Sequence, residues 1–292
     1  MRRRIIEAGQ VSKGGRISRL IRNPIATLTP YVMRSIGVRR NVTVTTAWGG
    51  KFSGLLPEAV SSEIWRSGGF ELPVSLALLQ FLKPGGIYVD VGAHFGYFSL
   101  LASRLVGANG RVISVEAMPS TFSYLTNNIE RNATDKNVTA FQNAGYSENI
   151  DLEFRDFGVV ASSLNSAFQA RDSYGIIKTE GKVVVVKARK VDDIVEEVGL
   201  QKIDLVKIDA ESSEKFVLIG MSNILKKHRP AVVMEVGDSD PNKNSVKELV
   251  ELLATHNYRP FSWDHNYQLQ PFELIGHVPY ANLVFCPIDS KR

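Results

Sequence analysis

The sequence predicts an α/β fold with a doubly wound, mostly parallel sheet. Three observations carry this. From residue 87 onward, apolar runs of strand length alternate with stretches of helical periodicity, the pattern of parallel strands joined by crossover helices. The first unit runs from Ile87-Tyr88-Val89 through Asp90, Gly92 and Gly96 into Leu100, Leu101 and Leu105, which reads as buried strand, tight turn and returning helix. Finally, Asp90, Glu116, Asp209 and Glu235 all fall at predicted strand ends. Ligands of open parallel sheets bind along that edge.

Composition sets the limits. A chain of 292 residues can bury one large core with a small attached subdomain. The single Cys286 excludes an internal disulfide and suits a reducing, cytoplasmic setting. No apolar run reaches the length of a membrane span, and the leading arginines lack the apolar stretch of a signal peptide. The net charge of +5 is unevenly placed: residues 1–40 hold ten Lys or Arg and one acid, whereas the other 252 residues hold 25 basic and 29 acidic side chains. A body with an acidic surplus argues against nucleic acid as a partner.

In chain order, residues 1–40 form a basic arm. Ile17, Leu20 and Ile21 share a helical face flanked by Arg16, Arg19 and Arg22, and Pro24 interrupts any helix. A solvated terminus is the expectation, set against a peripheral segment resting on an anionic membrane or an acidic partner. Residues 41–83 read as a hairpin turning at Gly49-Gly50, then two helices around Ile64-Trp65 and Leu76–Leu82. Trp48, Trp65 and Glu71 are candidates for covering a site there, against the simpler reading of packing. Residues 84–292 form the main domain. Arg111–Val115 leads to Glu116, and Pro119 starts a helix with Phe122, Leu125 and Ile129 on one stripe. A variable insertion occupies about residues 150–187. Ile203–Ile208 leads to Asp209, and one helix carrying Phe216, Ile219, Ile224 and Leu225 follows.

The turn after the first strand is a candidate anion site, because glycines admit a ligand and N–H groups at a helix start point outward. Glu116, at the tip of the neighbouring strand, can accept both hydroxyls of a ribose. A nucleoside-containing cofactor follows, with NAD and S-adenosylmethionine both open.

The runs VDVGAHFGYFSLLAS, ISVEAMPSTFSYLTNNIERN, IDLVKIDAESSEKFVLIGMSNILKKHRPAVVMEV and ANLVFCP resemble the FkbM-type branch of class I S-adenosylmethionine-dependent methyltransferases, in order and spacing over about residues 68–288. The resemblance implies a Rossmann-like sheet of seven strands whose last two are antiparallel, and favours S-adenosylmethionine. It assigns the methionine part to Asp90, Gly92, Ala93 and Gly96, with Tyr97 and Phe98 opening the helix beneath. It gives the ribose to Glu116, the adenine border to Ala117 and Met118, and the adenine's polar edge to Asn143 and Ala144. Asp209 faces the methyl. Two positions depart from the pattern. His94 replaces the asparagine of DVGANIG and adds a group that can titrate. Ser212 replaces the glycine of IDVEGAE, which puts the local loop and Glu211 in doubt.

The implied reaction is O-methylation of a hydroxyl on a sugar, glycan or secondary metabolite. N-methylation and a non-catalytic cofactor-binding scaffold are the alternatives. A neutral hydroxyl benefits from a base, for which Asp209, Glu211 and Glu235 are candidates in that order. A divalent ion on Asp209, Glu235 and Asp238 ranks lower, since acids at adjacent strand ends are expected without one.

Overall fold

The structure, a computed structural model, describes residues 1–13, 20–21, 23–132, 136–164, 181–210, 212–238 and 244–288. The N-terminal stretch is more structured than its composition suggested. Helix α1 (Arg2–Lys13) buries Ile5 and Ala8, and Gly9 lets it approach closely: a Cβ there would stand 2.7 Å from Leu72 Cβ. A second helix, α2 (Pro24–Ser35), starts at the proline expected to interrupt one; Pro24 occupies its first turn and Asn23 Oδ1 accepts from Ala26 N at 3.1 Å. Ile17, Arg16, Arg19 and Arg22 lie outside the described residues.

Strands β1 (Arg40–Thr45) and β2 (Lys51–Leu56) pair as an antiparallel hairpin. Helix α3 (Ala59–Ser67) is capped by the Glu58 carboxylate, which accepts from Val60 N and Ser61 N, and ends at left-handed Gly68. Helix α4 (Leu72–Phe81) is buried on most of its surface, and α1 packs against both α3 and α4.

The main sheet begins with β3 (Ile87–Val91), α5 (Tyr97–Val106), β4 (Arg111–Val115), α6 (Pro119–Arg131) and β5 (Val138–Phe141). The described strands of the insertion, β7 (Ile150–Asp156) and β8 (Lys182–Arg189), form a separate sheet with β6 (Ala144–Gly145), ordered β6-β8-β7. There follow α7 (Val191–Val198), β9 (Leu205–Ile208), α8 (Glu214–Gly220), β10 (Ala231–Val236), α9 (Val246–Ala254), β11 (Tyr258–Trp263), β12 (Leu269–Pro271) and β13 (Ala281–Pro287). Two elements differ from expectation. The helix after Asp209 is divided, with α8 followed by a separate π-helical turn over Ile224–His228, and β10 continues past Met234 so that Glu235 lies within the strand.

The large sheet is ordered β12-β11-β13-β10-β9-β3-β4-β5. Strands β10, β9, β3, β4 and β5 are parallel, and β13 runs antiparallel between β10 and β11. The seven expected strands are therefore in place, and short β12 adds an eighth at the edge. Alternate strand residues go to opposite faces. Tyr88, Val112 and Leu205 pack with α4 and α5, while Val89, Val91, Ile113 and Ile208 pack with α7, α8 and α9. Burial on both faces explains the near-continuous apolar strands. The chain reverses its direction of sheet growth between β3 and β9, and a crevice opens at such a switch point.

Candidate functional site

The crevice is a cavity partly open to solvent, running along the carboxyl ends of β4, β3, β9 and β10. Of the residues expected to form the site, Gly92, Ala93, His94, Tyr97, Phe98, Glu116, Ala117, Met118, Asn143, Ala144, Asp209 and Glu235 line it. Glu211 lies outside the described residues.

Asp90 and Gly96 do not line it. The Asp90 side chain turns inward and is fully buried; it accepts from Ser99 Oγ at 2.6 Å and faces Lys207 Nζ at 3.6 Å. Burial pushes its carboxyl upward, against the pull of Lys207. Gly96 serves packing: its φ is +86°, and a Cβ would stand 2.6 Å from Leu125 Cδ1.

The turn itself also differs from the expected anion cradle. Gly92 N and Ala93 N donate to Val115 O, Gly96 N donates to Ala93 O, and His94 N donates to Glu116 Oε2 at 2.8 Å. These donors are already satisfied within the fold. The groups that helix geometry leaves over are the N–H groups of the first turn of α5. Gly92 is needed for another reason: a Cβ there would meet Asp209 O at 1.8 Å. The β3 and β9 turns are thereby pressed together.

At one end of the cavity, Glu116 is buried and well held. Its Oε1 accepts from Thr121 Oγ1 at 2.6 Å and Met118 N at 3.0 Å, and its Oε2 accepts from His94 N. A carboxylate has about four acceptor positions, so among the described residues one remains, on Oε2. That suits one ribose hydroxyl rather than two. Burial raises the Glu116 carboxyl, while the three hydrogen bonds oppose the rise. Ala117 and Met118 give apolar wall, and Leu152 and Phe154 of the insertion sheet continue it.

His94 sits between the two ends with a positive φ of 51°, a region that asparagine and histidine enter more readily than other residues. Its ring stacks on Phe95 at 4.2 Å, and Nε2 is 2.7 Å from Ser162 Oγ. Nδ1 has no partner among the described residues. Burial, then the charge on Lys207, lowers its pKa to about 4. The imidazole is therefore neutral near pH 7.

The other end is a group of acids around one buried cation. Lys207 Nζ donates to Gly92 O at 2.7 Å and lies 3.3 Å from Asp209 Oδ2. Burial alone would lower its pKa, but Asp209, Asp90 and Glu71 outweigh that and hold it above the ordinary lysine range. Asp209 and Glu235 are joined here by Glu71, whose pKa is raised to about 8 by burial and then by Asp209 and Glu235. Tyr280 Oη reaches both Glu71 Oε1 at 3.2 Å and Glu235 Oε2 at 3.4 Å; its one hydrogen serves one acid at a time. Burial and these carboxylates hold the phenol well above its usual range.

Sequence reasoning missed Lys207 as a site residue, although a charged residue inside an apolar central strand was the available signal. It passed over Tyr280, which no local pattern marks, whereas Ser162, in a Ser162-Ser163-Leu164 run that resembles a serine-rich segment of the family and was expected near the site, lines the cavity and meets His94. Trp48 and Trp65 do not line the cavity, whereas Glu71 does, with Phe52, Val60 and Phe70. Asp238 accepts from Val246 N and Val278 N, both at 2.8 Å, so its carboxylate ties the start of α9 to the segment before β13. Among the described residues no three His, Cys, Asp or Glu are grouped to hold an ion. Ser212 keeps the left-handed backbone that a glycine would supply, with φ at 79°.

Comparison with known proteins gives a consistent result. The chain is 28% identical over 196 residues to the 31-O-demethyl-FK506 methyltransferase FkbM of Streptomyces tacrolimicus, a match covering 61% of this chain and 74% of that protein. It is 27% identical over 194 residues to the hexuronic acid methyltransferase AglP of Haloferax volcanii, covering 66% and 72%. The solved structure of methyltransferase FkbM from Methylobacillus flagellatus superposes with a TM-score of 0.45 at 12% identity, over 91% of this chain and 59% of that one. The methyltransferase FkbM domain matches residues 90–260, more than half of the chain and the whole stretch from the glycine turn to β11: the protein belongs to the FkbM methyltransferase family.

Proposed function

We propose that the protein transfers a methyl group from S-adenosylmethionine to a hydroxyl of a sugar, glycan or secondary metabolite. The observation that carries this reading is the polarity of the cavity. One end offers a held carboxylate beside apolar wall, suited to a nucleoside, and the other collects Asp209, Glu235 and Glu71. The cavity residues fit the cofactor, with an acceptor position on Glu116 and an unpartnered His94 Nδ1 both in its wall. The family supports methyl transfer, and the O-methylation named for one relative supports a hydroxyl acceptor.

Bound S-adenosylmethionine would supply a methyl activated on a sulfonium, with the neutral thioether of its demethylated product as the leaving group. The chain's part is alignment and proton removal. Asp209 Oδ2, fixed 3.3 Å from Lys207 Nζ and a quarter exposed, takes the hydroxyl proton. Glu71 retains its proton near pH 7 and donates a hydrogen bond to the acceptor or to Glu235. Lys207 keeps Asp209 and the Gly92 carbonyl in place and does not touch the acceptor.

Calorimetry with S-adenosylmethionine and its demethylated product, followed by a labelled-methyl screen of sugars and hydroxylated metabolites, tests the reading. Binding of both compounds and label in an oxygen ether are expected. Tight NAD binding without response to either compound would overturn it.

A further inference from the structure

Helix α2 has two apolar faces. Ala26, Pro30 and Met33 are buried against the body, and α2 packs on α3. The second face is in water: Ile25 is 75% exposed, Leu28 49%, Val32 53% and Ile36 65%. Ile21, 77% exposed, lies just ahead of the helix. Scattered exposed aliphatics are ordinary, but Ile25, Leu28 and Val32 in one row along α2, continued by Ile36 at its C-cap, mark an interaction surface.

The surrounding charge indicates what covers it. Between residues 8 and 57 the sequence holds eight Lys or Arg and no acid. Arg39 and Arg40 are exposed directly after the row. An apolar helix face with cations at its margin is the arrangement that lies in the headgroup region of an anionic bilayer. Among the described residues no helix is long and apolar enough to cross one, so the contact is parallel to the surface.

The geometry points to α2 as a peripheral membrane anchor: Ile21, Ile25, Leu28, Val32 and Ile36 enter the interface of an anionic bilayer, and Arg39 and Arg40 meet its headgroups. The same helix packs on α3, whose Val60 lines the cavity, so an anchored enzyme would hold the N-terminal wall of its site close to the membrane. The inference rests on this face alone and stands whether or not the acceptor is a hydroxyl.

The test is co-sedimentation of the full chain with phosphatidylcholine vesicles, with and without phosphatidylglycerol. Binding to the anionic vesicles, weakened by salt, is expected. Ile25→Ser combined with Val32→Ser removes two exposed side chains that support no core, and should weaken binding by about tenfold or more at unchanged circular dichroism. Arg39→Gln and Arg40→Gln should each weaken it about fivefold. No sedimentation of the unaltered chain, or equal sedimentation of the double variant, overturns the inference. So does a dimer seen by ultracentrifugation that the double variant dissolves, since a second copy would then be the occupant.

Discussion

The two ends of the cavity are built on opposite terms. Around Glu116, three donors from the protein already occupy the carboxylate, and the residue is 8% exposed. Around Asp209, the carboxylate is a quarter exposed and its described contact is a single ion pair with Lys207. A group whose hydrogen bonds are supplied by its own fold is pre-positioned and has little freedom to exchange protons. A carboxylate open to the cavity and steadied from one side can accept a proton and pass it on. The difference separates binding from chemistry within one crevice.

Substituting one acid at each end should break the comparison if it is wrong. Asp209→Asn removes the proton acceptor while leaving shape and size, and should lower turnover by about 10²–10⁴-fold with little change in cofactor affinity. Steady-state kinetics with an identified acceptor, paired with calorimetry, reads both quantities. Glu116→Gln should show the inverse: cofactor affinity falls by about tenfold, as for one charge-assisted hydrogen bond, with saturated turnover nearly unchanged. A loss of turnover in the Glu116 variant at saturating cofactor would remove the division between the ends.

Glu71 sharpens the comparison through pH. Its pKa in the folded chain is about 8, against an ordinary 4.5, so the folded state holds this proton more tightly than the unfolded state. The stability it contributes is full below pH 4.5 and declines as pH rises through about 8. Glu58, raised to about 7 by burial, contributes with the same sign. The informative quantity is therefore the difference between the unaltered chain and Glu71→Gln, whose amide stays neutral. The urea midpoint of the variant should fall less between about pH 5 and about pH 9, a span that brackets the raised titration. Parallel profiles would show that Glu71 is ionised throughout.

Much of this arrangement was legible because strand ends are legible. An apolar run closing on an acid, repeated at Glu116 and Asp209, places both groups on one sheet edge whatever the details between them. The direction of the last side chain is not encoded so locally. Asp90 closes a run in the same way, yet its register places it beneath the sheet edge, against Ser99 and Lys207. Long-range neighbours are equally hidden: Glu71 and Tyr280 stand 209 positions apart and meet only through packing of α4 against β9, β10 and β13. The docking of α1 depends on Gly9 admitting Leu72, a fit between two surfaces that composition reports only as a basic terminus.

The smallest expected effect concerns the loop beside Asp209. Ser212 holds a φ of 79°, and its N–H donates to Glu214 Oε1 at 3.2 Å. A left-handed backbone costs a residue with a Cβ about 1 kcal/mol relative to glycine, and the hydrogen bond retains the conformation without removing that cost. Ser212→Gly relieves the strain but makes the unfolded chain more flexible, which offsets about half of the gain. A net stabilisation of about 0.5 kcal/mol, read from the urea midpoint, should leave turnover within about twofold, because Ser212 already holds a backbone conformation that glycine adopts freely. A large rise in turnover would mean instead that the serine hydroxyl or its strain displaces Asp209 from the acceptor, and that the open end of the cavity is held less well than its ion pair with Lys207 suggests.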